Sequence, residues 1–206
     1  MKMKKILIIF LIALIFTFII YKINYKEKLN VLILGDNNIK LLSKDNYINY
    51  LINNNNIDNV NNLFTFDNKT NKDIINDIKN NYTIYYKNNK IKLNELISNS
   101  EIIILTSNNN EYISKCNKPS SVLKEYNKKV YEKNIELINI INKISNSKVI
   151  ILGNYCSSYN KEVSKYLDML YNNYNYINMY KLYNEYKNKD MEYELYKQII
   201  DIVELK

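Results

Sequence analysis

The sequence predicts an α/β protein, a parallel β-sheet covered by helices on both faces. Three observations carry that expectation. The runs Val31–Leu34, Ile102–Leu105 and Val149–Leu152 are unbroken aliphatic segments, the pattern of strands buried on both faces. Stretches with helical spacing alternate with them along the chain. The only two glycines, Gly35 and Gly153, each directly follow one of these runs, where a strand empties into a loop. Open α/β sheets bind their ligands at that C-terminal edge.

The chain begins with three lysines in Met1–Lys5, then Ile6–Ile20, apolar throughout except for Thr17, then Tyr21-Lys22. Fifteen helical residues span about 22 Å, short of a hydrocarbon core of about 30 Å. Flanking Tyr21 and lysines extend the reach by interfacial anchoring and snorkelling. Tyr21–Tyr25 offers no small residues for signal cleavage, no cysteine follows for a lipid anchor, and a buried core helix is disfavoured because the segment lacks a polar face. It is therefore read as an uncleaved transmembrane signal-anchor. Residues 1–24 form the cytoplasmic start and anchor, 25–28 a linker, and 29–206 one domain placed outside the cell membrane.

Within the domain, Leu29–Leu34 is the first expected strand. Asn38–Ile52 reads as a helix, with Ile39, Leu42, Tyr47 and Leu51 near one face. Val60–Phe66 is a second strand and Asp73–Ile78 a helix carrying Ile74, Ile75 and Ile78. Thr83–Tyr86 fits either type. Leu93–Ile97 is a short helix before the strand Glu101–Thr106. Pro119-Ser120-Ser121 signals a helix start. That helix runs to about Ser145 on a stripe of Leu123, Tyr126, Val130, Leu137, Ile141 and Ile144. Lys148–Gly153 is a fourth strand, Lys161–Tyr171 a helix and Tyr176–Met179 a fifth strand. Asp190–Val203 is a terminal helix with Asp190 as its N-cap.

Composition narrows the chemistry. The 206 residues carry a formal charge of +8, and histidine, arginine and tryptophan are absent. Asn, Ile, Lys and Tyr, all with A/T-rich codons, are abundant. The charge could signal a nucleic-acid or acidic-membrane partner, but the lysines are scattered, with no cluster denser than Lys2, Lys4 and Lys5, so biased composition explains it better and no nucleic-acid partner is expected. Without histidine the usual general base, zinc ligand and partner of a serine or cysteine nucleophile are missing. No Gly-rich phosphate loop and no metal-site spacing of carboxylates occurs, so no cofactor and no metal are expected. Cys116 and Cys156 both follow strand-end loops and read either as a disulfide, permitted outside the membrane, or as two free thiols.

At its strand ends the chain resembles the SGNH (GDSL-type) hydrolases, especially their membrane-anchored extracellular lipase-like members from low-GC bacteria. Members open with a strand ending Gly-Asp-Ser, the serine being the nucleophile; here stands Gly35-Asp36-Asn37. A later strand leads to Gly-Asn-Asp, whose asparagine lines the oxyanion hole; here Asn109-Asn110-Glu111 follows Ile102–Leu105. A long helix and a strand ending in glycine come next, as in Asn134–Tyr155. The family's Asp-x-x-His before the last helix is matched by Asp190-Met191-Glu192-Tyr193.

The resemblance implies a three-layer α/β/α, flavodoxin-like sheet over 29–206. It places Asn37, Asn110, Asp190 and Tyr193 at the family's catalytic positions. An amide is not a useful nucleophile, and tyrosine, with a pKa of about 10, is a poor base near neutral pH. The expectation is a pseudoenzyme, a binding or cell-envelope accessory module, in which Asp36, Asn37 and Asn110 hold a ligand. An active esterase or acyltransferase with a rewired site and a purely structural membrane protein are the alternatives. Asp36 and Asn37 also suit an N-cap for the helix expected after them, Asp190 suits a cap, and Tyr193 a packed aromatic.

Overall fold

Side-chain alternation within the strands sorts the core into two faces. The computed structural model describes residues 10–17, 29–36, 57–66, 69–106, 112, 114–154, 160–186 and 191–204. In chain order the domain has strand β1 (Leu29–Asp36), β2 (Ile57–Phe66), helix α1 (Asn71–Lys79), β3 (Thr83–Tyr86), β4 (Asn89–Lys92) and α2 (Leu93–Ser98). β5 (Ile102–Thr106), α3 (Ser120–Ile141), β6 (Lys148–Leu152), α4 (Lys161–Leu170), β7 (Asn175–Ile177), α5 (Met179–Glu185) and α6 (Met191–Glu204) follow. β2-β1-β5-β6-β7 form one sheet, parallel at every pairing. Counted among these five strands alone, the order is 2-1-3-4-5, the flavodoxin-like arrangement. The expected helix Asn38–Ile52 lies outside the described residues.

Leu32, Leu34, Ile103, Leu105, Val149 and Ile151 point to one face, under α1, α2, α3 and α4. Val31, Ile33, Ile102, Ile104, Ile150 and Leu152 point to the other, under α5 and α6. Both sides of each central strand are thus covered, and full burial of each such side chain stabilises by about 1.5–3 kcal/mol. The ten residues of β2 exceed the eight of β1 because the register slips twice, between Leu29 and Asn30 and between Leu32 and Leu34. The irregular backbone is bonded locally: Asn61 Oδ1 accepts from Leu63 N at 3.1 Å, and Thr65 Oγ1 donates to Asn62 O at 2.7 Å.

Side chains set the starts of several helices. Thr70 and Asp73 form a capping box on α1, with Asp73 Oδ2 accepting from Thr70 N at 3.0 Å. Those bonds hold the Asp73 carboxyl below its ordinary pKa. Asn160 caps α4 through Glu162 N and Val163 N, and Asn178 caps α5 through Lys181 N.

Several elements differ from the sequence reading. β1 runs past Leu34 through Gly35 to Asp36, and β2 starts at Ile57 rather than Val60. α3 ends at Ile141 rather than near Ser145, its last carbonyls taken by Asn142, Ile144 and Ser145 N–H groups. The ambiguous Thr83–Tyr86 is one arm of an antiparallel hairpin with Asn89–Lys92. The last strand stops at Ile177, and α5, not anticipated, starts at Met179 because Asn178 caps it there. Tyr193 is 57% exposed, not a packed aromatic; Leu195, Tyr196 and Ile199 of the same helix are the buried ones.

Residues 10–17 are helical, and Phe10, Leu11, Ile12, Leu14, Ile15 and Phe16 are 49–64% exposed. No helix among the described residues is long and apolar enough to cross a membrane. The rest of Ile6–Ile20 lies outside them.

Candidate functional site

The strand order reverses between β1 and β5, so their C-terminal ends flank the point where such sheets bind ligands. Gly35 pairs with Thr106 across this point. Gly35 has φ +125°, and a Cβ added there would lie 1.4 Å from the Thr106 carbonyl oxygen. Only glycine lets the two strand ends approach this closely. Thr106 Oγ1 donates to Asp36 O at 3.0 Å and reaches Leu34 O at 3.5 Å, tying the end of β1 to β5. Asp36 itself is 2% exposed.

The candidate residues Asn37, Asn110 and Asp190 lie outside the described residues. In the sequence, Asn37 directly follows Asp36, the last residue of β1, and Asn110 comes four residues after Thr106, the last residue of β5. Asp36 thus ends β1 at the C-terminal edge of the sheet, and Tyr193 lies on α6. Among the described residues, no group of three or more His, Cys, Asp or Glu is arranged to hold a metal ion. Cys116 is disulfide-bonded; the chain's other cysteine, Cys156, lies outside the described residues.

Beneath this edge lies a buried network of tyrosines and asparagines that the sequence reading missed. Tyr112, in the segment after β5, and Tyr180, on α5, share a hydroxyl–hydroxyl hydrogen bond at 2.5 Å. Asn127 of α3 donates to the Tyr112 hydroxyl at 3.2 Å and to Leu123 O at 2.8 Å. One layer further along α3, Asn134 donates to the Tyr171 hydroxyl at 2.8 Å and accepts from Asn71 at 2.9 Å. Tyr171 stacks on Tyr176 at 4.2 Å between centroids. The Tyr176 hydroxyl lies where a Cβ on Gly153 would be, 2.3 Å from that point, so the second glycine also serves a close approach. A small cavity lined by Asn127, Asn134, Gly153, Asn154 and Tyr171 has room for about one water molecule. The available signal was spacing: Leu123, Asn127, Val130, Asn134, Leu137 and Ile141 are the buried positions of one helix face, two of them amides.

These phenols are held neutral. Burial pushes the Tyr112, Tyr171 and Tyr176 hydroxyls above their ordinary pKa, and raises Tyr180 as well. None of them is a base near neutral pH. An unfolded tyrosine ionises near pH 10, whereas the folded state keeps these protonated. Their contribution to stability is therefore complete below about pH 10 and is lost as pH rises through the folded values. In a spectrophotometric titration near 295 nm, a subset of tyrosines is expected to ionise only together with the loss of circular dichroism. Simple titration of every tyrosine near pH 10 with the fold intact would contradict the buried network.

Fold and edge together define an open parallel α/β protein whose strand order reverses between β1 and β5. The structure is similar to the crystal structure of the lipase Lip_vut3 from goat rumen metagenome, with a TM-score of 0.58 and 13% sequence identity. The match covers 85% of this chain and 95% of that one. No family model matches the sequence, and no curated protein matches it.

Proposed function

We propose that the chain is a membrane-anchored, extracytoplasmic SGNH-hydrolase-like domain that binds a cell-envelope ligand without turning it over. The carrying observation is an intact strand-end framework, Gly35-Asp36 locked to Thr106, in a chain that contains no histidine. Acyl transfer by this kind of site needs a hydroxyl nucleophile, a base to take its proton and donors for the oxyanion. Asn37 stands in place of the serine and Tyr193 in place of the histidine. What remains suited to a ligand is the edge itself, with Asp36, Asn37 and Asn110 as its polar groups. The exposed apolar helix at 10–17 supports the anchor reading, because eight solvent-facing residues of that composition ask for a lipid environment.

A serine-reactive fluorophosphonate probe tests the absence of a nucleophile. The expected result is no stoichiometric labelling of the folded chain above a heat-denatured control. Labelling at a single serine, mapped by mass spectrometry, would overturn the reading.

A further inference from the structure

The β3–β4 hairpin has two unlike faces. Thr83 pairs with Lys92, Ile84 with Ile91, and Tyr85 with Lys90. Strand alternation therefore puts Ile84 and Ile91 on one face, and both pack against the core beneath α1 and α2. Thr83, Tyr85, Lys90 and Lys92 share the other face. Tyr85 is 76% exposed there, and neighbouring Tyr86 and Tyr82 are also exposed. The tip, Lys87-Asn88, has positive φ at both residues, 48° and 65°. That is the tight turn usually built with glycine, here made from two residues that carry a conformational cost for it. Lys87 Nζ sits 5.3 Å from the Tyr86 ring centroid.

Charge on this element is one-sided. Four lysines, Lys79, Lys87, Lys90 and Lys92, and no carboxylate lie between Asp77 and Glu95. The two bounding acids are engaged, Asp77 with Lys69 and Glu95 with Lys92.

We infer that the outer face and tip of this hairpin rest on an anionic lipid bilayer, with Tyr85 at the headgroup level and Lys87 and Lys90 on the lipid phosphates. Amphipathic aromatic rings with a polar hydroxyl partition to that level, and lysines such as Lys87 and Lys90 are drawn to the negative surface within a Debye length. Reach is not limiting. The eleven residues 18–28 between the apolar helix and β1 span at most about 40 Å, which keeps an anchored domain beside the membrane. The inference rests on the anchor reading, and the following experiment separates the two.

The chain lacks tryptophan, so Tyr85→Trp supplies a single hairpin reporter. Val122→Trp, exposed in the first turn of α3, supplies a control reporter at the far, ligand-edge end of the sheet. Each full-length variant is mixed with phosphatidylcholine vesicles and with phosphatidylcholine/phosphatidylglycerol vesicles, with and without brominated acyl chains. Flotation reports anchoring, and bromine quenching of the indole reports contact. The expected result is flotation with both lipids and, on anionic vesicles, at least two-fold quenching in the Tyr85→Trp variant but not in the Val122→Trp variant. Adding Lys87→Glu and Lys90→Glu should abolish that quenching while flotation persists. Flotation with the hairpin reporter unquenched overturns the hairpin contact and leaves the anchor standing. Flotation and quenching on anionic vesicles alone support the hairpin contact and refute the anchor. No flotation with either lipid overturns both.

Discussion

Gly35→Ala is expected to lower the stability of the domain by about 4 kcal/mol. Two costs combine. A non-glycine residue at φ +125° carries backbone strain of about 1–3 kcal/mol. The added Cβ would fall 1.4 Å from the Thr106 carbonyl oxygen, a backbone atom with no rotamer to escape into. Relief requires β1 to move away from β5, which opens the Gly35–Thr106 pairing and weakens the Thr106 Oγ1 bond to Asp36 O. Overpacking of that kind typically costs about 1–3 kcal/mol more. Small domains have about 5–15 kcal/mol in total, so the variant should be marginal. Urea unfolding followed by circular dichroism measures the change; a loss below about 1 kcal/mol would show that the two strand ends are not locked as described.

Asn134→Ala is expected to cost about 3 kcal/mol, unusual for removing one polar side chain from a helix. Asn134 is buried and bonded on both sides, to Tyr171 through its Nδ2 and to Asn71 through its Oδ1. Truncation leaves the Asn71 amide and the Tyr171 hydroxyl without that partner in a buried setting, at about 1–3 kcal/mol for each group left unsatisfied. Asn71→Ala should cost less, because it removes a group whose own Oδ1 has no hydrogen-bond partner among the described residues. The double variant should then cost less than the sum of the singles, by about 1 kcal/mol. Strict additivity in a double-mutant cycle would mean that the two amides do not share an interaction.

The central strands were legible because burial on both faces leaves no room for polar residues, so Val31–Leu34, Ile102–Leu105 and Val149–Leu152 stand out in any composition. α3 was legible from Leu123, Val130, Leu137 and Ile141. Its two inward amides were not, because in a chain this rich in asparagine Asn127 and Asn134 carry no burial signal of their own. The same excess hid the caps: Asn160 and Asn178 start helices, yet asparagine occurs so often that its position carries little information. The hairpin was missed for a sharper reason. Its turn is Lys87-Asn88 at positive φ, without the glycine that would mark it. At the ligand edge, glycine was an informative signal, since Gly35 and Gly153 both sit where another residue's atoms occupy the space of a Cβ.

The most direct measurement is hydrolysis of short-chain p-nitrophenyl esters by the full-length chain in detergent, beside an Asn37→Ser/Tyr193→His double variant. The account predicts background turnover for the natural chain and measurable turnover for the double variant, since the remaining framework then regains a nucleophile and a base. Turnover by the natural chain would contradict the claim that the site binds without reacting. A silent double variant would contradict the matching of Asn37 and Tyr193 to the family's serine and histidine.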